Sequence, residues 1–256
     1  PLLVAERSGD VVVAPADPSG DTFRAATGAR LLAVSPAPDF AASGHLYAMH
    51  DAGAAFRLSR YRLAGTQLVE RMHVIRDVGS PPNPSASLRF GPDGKLYAAL
   101  DAGGDADVAA RLTDWRGKVL RLNPDGSTPE DQAAASPVFW SGLASPRAIG
   151  WAADGPLWLA ERGVDGVERL RAIASTGSRP RRTGLRASYV LPGDVGAASL
   201  AFHDGVGAPG FARNMFVAAR TGGYLLRVRF DQADGSKAMA SEITTVKTVT
   251  TVVLIA

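Results

Sequence analysis

Asp93-Gly94-Lys95-Leu96-Tyr97-Ala98, leading to Gly117-Lys118-Val119-Leu120-Arg121-Leu122, reads as a turn, an apolar strand, a second turn and another apolar strand. Asp-Gly suits tight hairpins, because both residues tolerate the positive φ that such turns require. The unit recurs along the chain. It is seen in Leu2 to Val13, in Gly44-His45-Leu46-Tyr47-Ala48 leading to Phe56-Arg57-Leu58, in Asp154 to Arg162, and in Asn214 to Ala218 leading to Tyr224-Leu225-Leu226-Arg227-Val228. The apolar strands start near residues 2, 46, 96, 157 and 215, a spacing that predicts the blades of a β-propeller.

Each unit alternates at period two, which predicts one apolar face per strand. A four-stranded sheet cannot cover its own faces, whereas neighbours in a ring can. The expected fold is therefore all-β: one domain over residues 1–256, with about five blades of four antiparallel strands. The chain opens within a strand at Leu2 and finishes on the β-branched run Val249 to Ala256. That run is expected to supply the inner strand of the first blade and so close the ring. The alternative is an incomplete six-bladed propeller. Asp-Gly pairs at 93–94, 125–126, 154–155 and 234–235 mark hairpins, and Asp105 to Arg116 is the one helical or loop candidate.

Composition narrows the function. The 256 residues are 46% hydrophobic, and 28 Lys and Arg stand against 25 acids, a net charge of +3. So thin an excess predicts no nucleic-acid partner, which needs a clustered basic face. The densest group, Arg179 to Arg186, sits in a Gly/Pro/Ser-rich stretch and reads as a solvated loop. There is no cysteine, which excludes disulfides, thiolate nucleophiles and Cys-ligated zinc. No apolar run is long enough to span a membrane, and no signal peptide is visible.

Leu88-Arg89-Phe90-Gly91-Pro92-Asp93-Gly94-Lys95-Leu96-Tyr97 followed by Arg116 to Pro129 resembles the glucose/sorbosone dehydrogenase family. Leu3 to Gly9, Leu31 to Val34, Gly155 to Gly163 and Phe216 to Asp231 agree in order, so the likeness covers nearly the whole chain. It implies a six-bladed propeller, typically periplasmic or secreted, that oxidises aldose sugars with pyrroloquinoline quinone (PQQ) and calcium. The strand of a sixth blade would begin near Val252, where this chain stops.

The same likeness implies site positions, and this chain departs from four of them. The family's histidine base aligns with Asn83, which takes no proton near neutrality. The turn that places a cation on the quinone reads Gly142-Leu143-Ala144-Ser145-Pro146, without the charge. A glutamine is replaced by Gly28 or Ala29. The segment whose carbonyls hold calcium reads Glu161-Arg162-Gly163-Val164, leaving Glu161 and Gly163 as the metal candidates. Arg147, Arg162 and Arg220 are the candidates for contacts to an anionic cofactor, Arg220 lying near the family's quinone-binding lysine.

Among the histidines, His50 beside Asp51 is the fallback base, while His45, His73 and His203 read as structural. Asp101, Asp105 and Asp107 share a loop that reads as solvated acids rather than a calcium loop. Ser141 to Ser145 lacks the spacing of a nucleophile elbow. The favoured expectation is a family propeller with a degenerate quinone site that binds a small-molecule sugar or a protein partner at its mouth. The alternatives are a working PQQ-dependent sugar dehydrogenase and a shortened or designed structural ring.

Overall fold

The computed structural model describes residues 2–15, 19–132, 135–152, 155–173, 189–231 and 238–244. These form five antiparallel sheets, the blades of a β-propeller. Blade one holds β1 (Leu2–Ala5), β2 (Asp10–Ala14) and β3 (Phe23–Ala26). Blade two holds β4 (Leu31–Pro36), β5 (His45–Asp51), β6 (Ala55–Ala64) and β7 (Gln67–Gly79). Blade three comprises β8 (Ala86–Phe90), β9 (Leu96–Leu100), β10 (Lys118–Leu122) and β11 (Val138–Ser141). Blade four comprises β12 (Ser145–Trp151), β13 (Leu157–Arg162), β14 (Glu168–Ile173) and β15 (Tyr189–Val190). Blade five comprises β16 (Ala197–Phe202), β17 (Met215–Ala219), β18 (Tyr224–Phe230) and β19 (Ala238–Thr244).

The inner strands β4, β8, β12 and β16 pack one against the next, which arranges the sheets about an axis. In blade one, β1 packs on β4 as the second strands of the other blades pack on the following inner strand. That sheet is three-stranded among the described residues. The closing strand expected from Val249 to Ala256, the Asp-Gly pair at 234–235, Asp154 and the arginines at 179–186 all lie outside the described residues.

The core differs from the expected single apolar face. In β9 all five residues are buried, as are all five of β10. Alternation instead sorts side chains between two interblade cores. Leu96, Ala98 and Leu100 join Tyr47, Met49 and Phe56 between blades two and three. Tyr97 and Ala99 turn the other way, to Ile149, Leu157 and Leu159 of blade four. Likewise Trp158 and Ala160 pack on Leu200, Met215 and Val217 of blade five. Leu3, Ala5 and Val11 meet Leu46, Ala48 and Tyr61 between blades one and two. A sheet held between two neighbours has no wet face over its central strands, so both phases of the alternation are apolar.

Asp93-Gly94 turns β8 into β9, with Gly94 at φ 70, and Asp125-Gly126 turns at the end of β10, with Gly126 at φ 92. The helical candidate resolves into α2 (Ala106–Ala110), started by the Asp105 carboxylate, which accepts from the Val108 amide at 2.9 Å. A one-turn helix α1 (Phe40–Ser43) was not expected from the sequence. No helix among the described residues is long and apolar enough to cross a membrane.

Candidate functional site

The second strand of each complete blade ends where its inner strand begins. Leu31 pairs with His50, Ala86 with Leu100, Ser145 with Arg162 and Ala197 with Ala219. These ends form one rim, the mouth of the ring, and charged residues stand at or just beyond them. They are Glu6 and Arg7 after β1, Arg30 before β4, Asp51, Asp101, Glu161 and Arg220.

Arginine dominates this rim. Partial burial first, then the fields of Arg30, Arg220 and Arg147, hold the Arg7 guanidinium below its usual range, while Asp51 pulls the other way. Arg7 thus feels three further cations, from blades two, four and five, and the Asp51 carboxylate. That carboxylate is already engaged, with Arg30 Nη1 3.0 Å from Asp51 Oδ2. Arg147 sits in a β-bulge of β12, between Pro146 and Ala148, where the ladder slips by one residue. Bulges re-aim side chains at functional rims. The Nε of Arg147 is buried and has no hydrogen-bond partner. Of the three arginines expected from the sequence, the structure groups Arg147 and Arg220. Arg162 instead turns away, donating from Nε to the Gly166 carbonyl at 3.2 Å. Arg7 and Arg30 were not expected. The signal for Arg7 was its place in the repeat, since Ala5-Glu6-Arg7 matches Ala160-Glu161-Arg162 and Ala218-Ala219-Arg220.

The acids of the rim are committed to structure. Asp101 is 3% exposed and accepts from the Ser85 amide and hydroxyl, the Gly103 amide at 2.8 Å and the Ser145 hydroxyl at 2.7 Å. It ties the loop ahead of β8 to the start of β12, the opposite of the solvated acid that its loop suggested. Glu161 accepts from the Ala144 amide at 2.8 Å and pairs with Arg171 at 2.9 Å. Burial pushes its carboxyl up and Arg171 opposes that. The Gly163 carbonyl accepts from the Gly166 amide at 2.9 Å. Among the described residues no three His, Asp or Glu side chains cluster as a metal site.

The histidines lie away from the mouth's open space. His50 is 3% exposed, with Nε2 3.0 Å from the Tyr61 hydroxyl of the core between blades one and two. Burial lowers its pKa to about 4. His73 bonds Ser59, and His203 Nδ1 accepts from the Gly205 amide. Asn83, at the position of the implied base, is exposed and adopts φ 49.

The family model for glucose/sorbosone dehydrogenases matches residues 1–178, well over half of the chain. The chain belongs to the glucose/sorbosone dehydrogenase family. Among solved structures, the PQQ-bound aldose sugar dehydrogenase of Streptomyces coelicolor has a TM-score of 0.77 at 21% identity, over 94% of this chain and 77% of that one. The apo soluble aldose sugar dehydrogenase of Escherichia coli gives 0.74 at 18%, over 93% and 81%. A glucose dehydrogenase-like oxidoreductase of Thermus thermophilus gives 0.74 at 22%, over 95% and 80%. At these identities the likeness is one of fold. No curated protein matches the chain.

The rim's cations suit an anion with several carboxylates. Asn83, at the position that the likeness gives to the base, takes no proton near neutrality, and the Gly163 carbonyl already accepts from the Gly166 amide at 2.9 Å.

Proposed function

We propose that this family member binds a small anionic molecule at the mouth of its propeller and does not catalyse base-dependent sugar oxidation. The grouping of Arg30, Arg147 and Arg220 within the field of Arg7, with Arg147 Nε buried and unpartnered, carries the reading. It is supported by the absence of any histidine at the rim that protonates near neutrality, His50 being buried and bonded to Tyr61. A sugar acid is the ligand class most consistent with the family, and a periplasmic or secreted location belongs to the same reading. A protein partner at the mouth is the less economical occupant, since the cationic group is compact.

A second reading, a PQQ-dependent aldose dehydrogenase with substituted residues, is favoured by the same arginines, because PQQ is itself a polycarboxylate. One experiment separates the two. Purified protein is supplied with PQQ, calcium and a panel of aldoses, and dye reduction is followed. In parallel, melting is recorded with citrate as a simple polycarboxylate probe. The expected result is no aldose-dependent dye reduction and a citrate-induced rise of several degrees that Arg147→Ala and Arg220→Ala each diminish. Turnover with PQQ would establish the second reading, and a citrate response unchanged in both variants would remove the first.

A further inference from the structure

A second concavity lies where blade two meets blade three. The end of β7 forms one wall and the segment after α2 the other. They enclose an open cleft of about 450 Å³ lined by Arg76, Val78, Arg111, Thr113, Asp114 and Trp115. That volume falls within the range of small-molecule sites.

The chemistry of the lining is one-sided. Arg76 and Arg111 are both exposed, and neither side chain makes a hydrogen bond or ion pair among the described residues. The carboxylate of the cleft is already neutralised, for Asp114 accepts from Arg116 Nη2 at 2.6 Å and Nε at 3.0 Å. Arg116 holds it below the usual carboxylate range. Trp115 is half-buried and backs onto the core between blades two and three, which fixes an apolar surface in the cleft.

The wall is also held in advance of any ligand. Lys118 is fully buried, and its ammonium donates to the carbonyls of Ala109 at 2.7 Å and Arg116 at 2.8 Å, on either side of the lining segment. The Gly142 amide donates to Ala109 O at 3.0 Å, which joins that segment to the start of blade four. A site whose walls are fixed loses little entropy on binding.

We propose that this cleft is a second ligand site, distinct from the mouth, for an acidic sugar such as a uronate. The carboxylate meets Arg76 and Arg111, an apolar ring face lies on Trp115, and ring hydroxyls meet the Thr113 hydroxyl. Guanidinium forks match carboxylates in geometry as well as charge. An aromatic carboxylate would satisfy the arginines and the indole, yet it would leave the Thr113 hydroxyl facing nothing but water.

The test is calorimetric titration of the whole chain with glucuronate, glucose and benzoate. The expected result is saturable binding of glucuronate, weakened about tenfold or more by Arg76→Ala and by Arg111→Ala. Glucose and benzoate should each bind at least about tenfold more weakly than glucuronate. Both arginines are exposed and unpaired, so the variants retain the fold, which circular dichroism verifies. The absence of saturable heat overturns the proposal, and so does glucose or benzoate binding as tightly as glucuronate. Arg147→Ala separates the two sites. Glucuronate binding that is lost in Arg147→Ala and kept in Arg111→Ala belongs to the mouth and overturns the cleft.

Discussion

At the residue scale, His50 illustrates how little a histidine's presence says about catalysis. Its place beside Asp51 at a strand end made it the fallback base, yet the ring is 3% exposed and faces Tyr61. Burial is the main reason its pKa falls to about 4, with the Arg71 and Arg57 fields adding to it. A folded pKa below the unfolded value of about 6.5 means that the unfolded chain binds the extra proton. The neutral ring therefore costs nothing above about pH 6.5, and stability falls as pH drops from there towards about 4, by up to about 3 kcal/mol. Urea midpoints at pH 7 and pH 4.5 measure this, and His50→Gln should flatten the difference whatever its effect at pH 7. A slope unchanged in His50→Gln would assign the acid sensitivity elsewhere. Sequence could name His50 but not its surroundings, because exposure is set by residues such as Tyr61 on another strand. Arg30 was overlooked for the same reason, since neighbours around the mouth are distant along the chain, whereas Arg7 was legible from its place in the repeat.

At the element scale, the repeat predicted the strands well, and their burial less well. Apolar residues alternate along β9 and β13, but both phases are apolar because two neighbouring blades claim them. The inner strands show how closely those blades approach. A methyl group on Gly150 of β12 would stand 2.5 Å from Leu200 Cδ1 and 3.2 Å from the Leu200 carbonyl of β16. Gly150→Ala should therefore push β12 and β16 apart and cost about 1–3 kcal/mol, read from denaturant midpoints. A neutral substitution would mean that Leu200 finds another rotamer within the same core. The bulge that carries Arg147 belongs to this scale as well. Leu31/Ala33 and Ala197/Ser199 slip near the start of their inner strands as well, while β8 of blade three stays in register and the arginine is particular to blade four.

At the scale of the whole molecule, each blade packs its sheet on its neighbours, and Arg89 of blade three also reaches Ser199 of blade five at 3.5 Å, so most damage should stay local. Trp158 is fully buried between blades four and five, its ring centroid 4.9 Å from that of Phe230. Trp158→Ala should cost about 3–5 kcal/mol. In hydrogen exchange the loss should appear across β12 to β19 and leave β4 to β7 protected. Uniform loss of protection in all five blades would instead show that the ring unfolds as one unit. The sequence by itself determined the fold class, the number of repeated units and the family, because these rest on local period, turn chemistry and motif order. The tertiary structure alone decided which cations share the mouth, which acids are spent on backbone amides, and that a cleft opens between the second and third blades. Those facts depend on distances between residues on separate blades, and no local pattern in a chain encodes the angle at which one sheet meets the next.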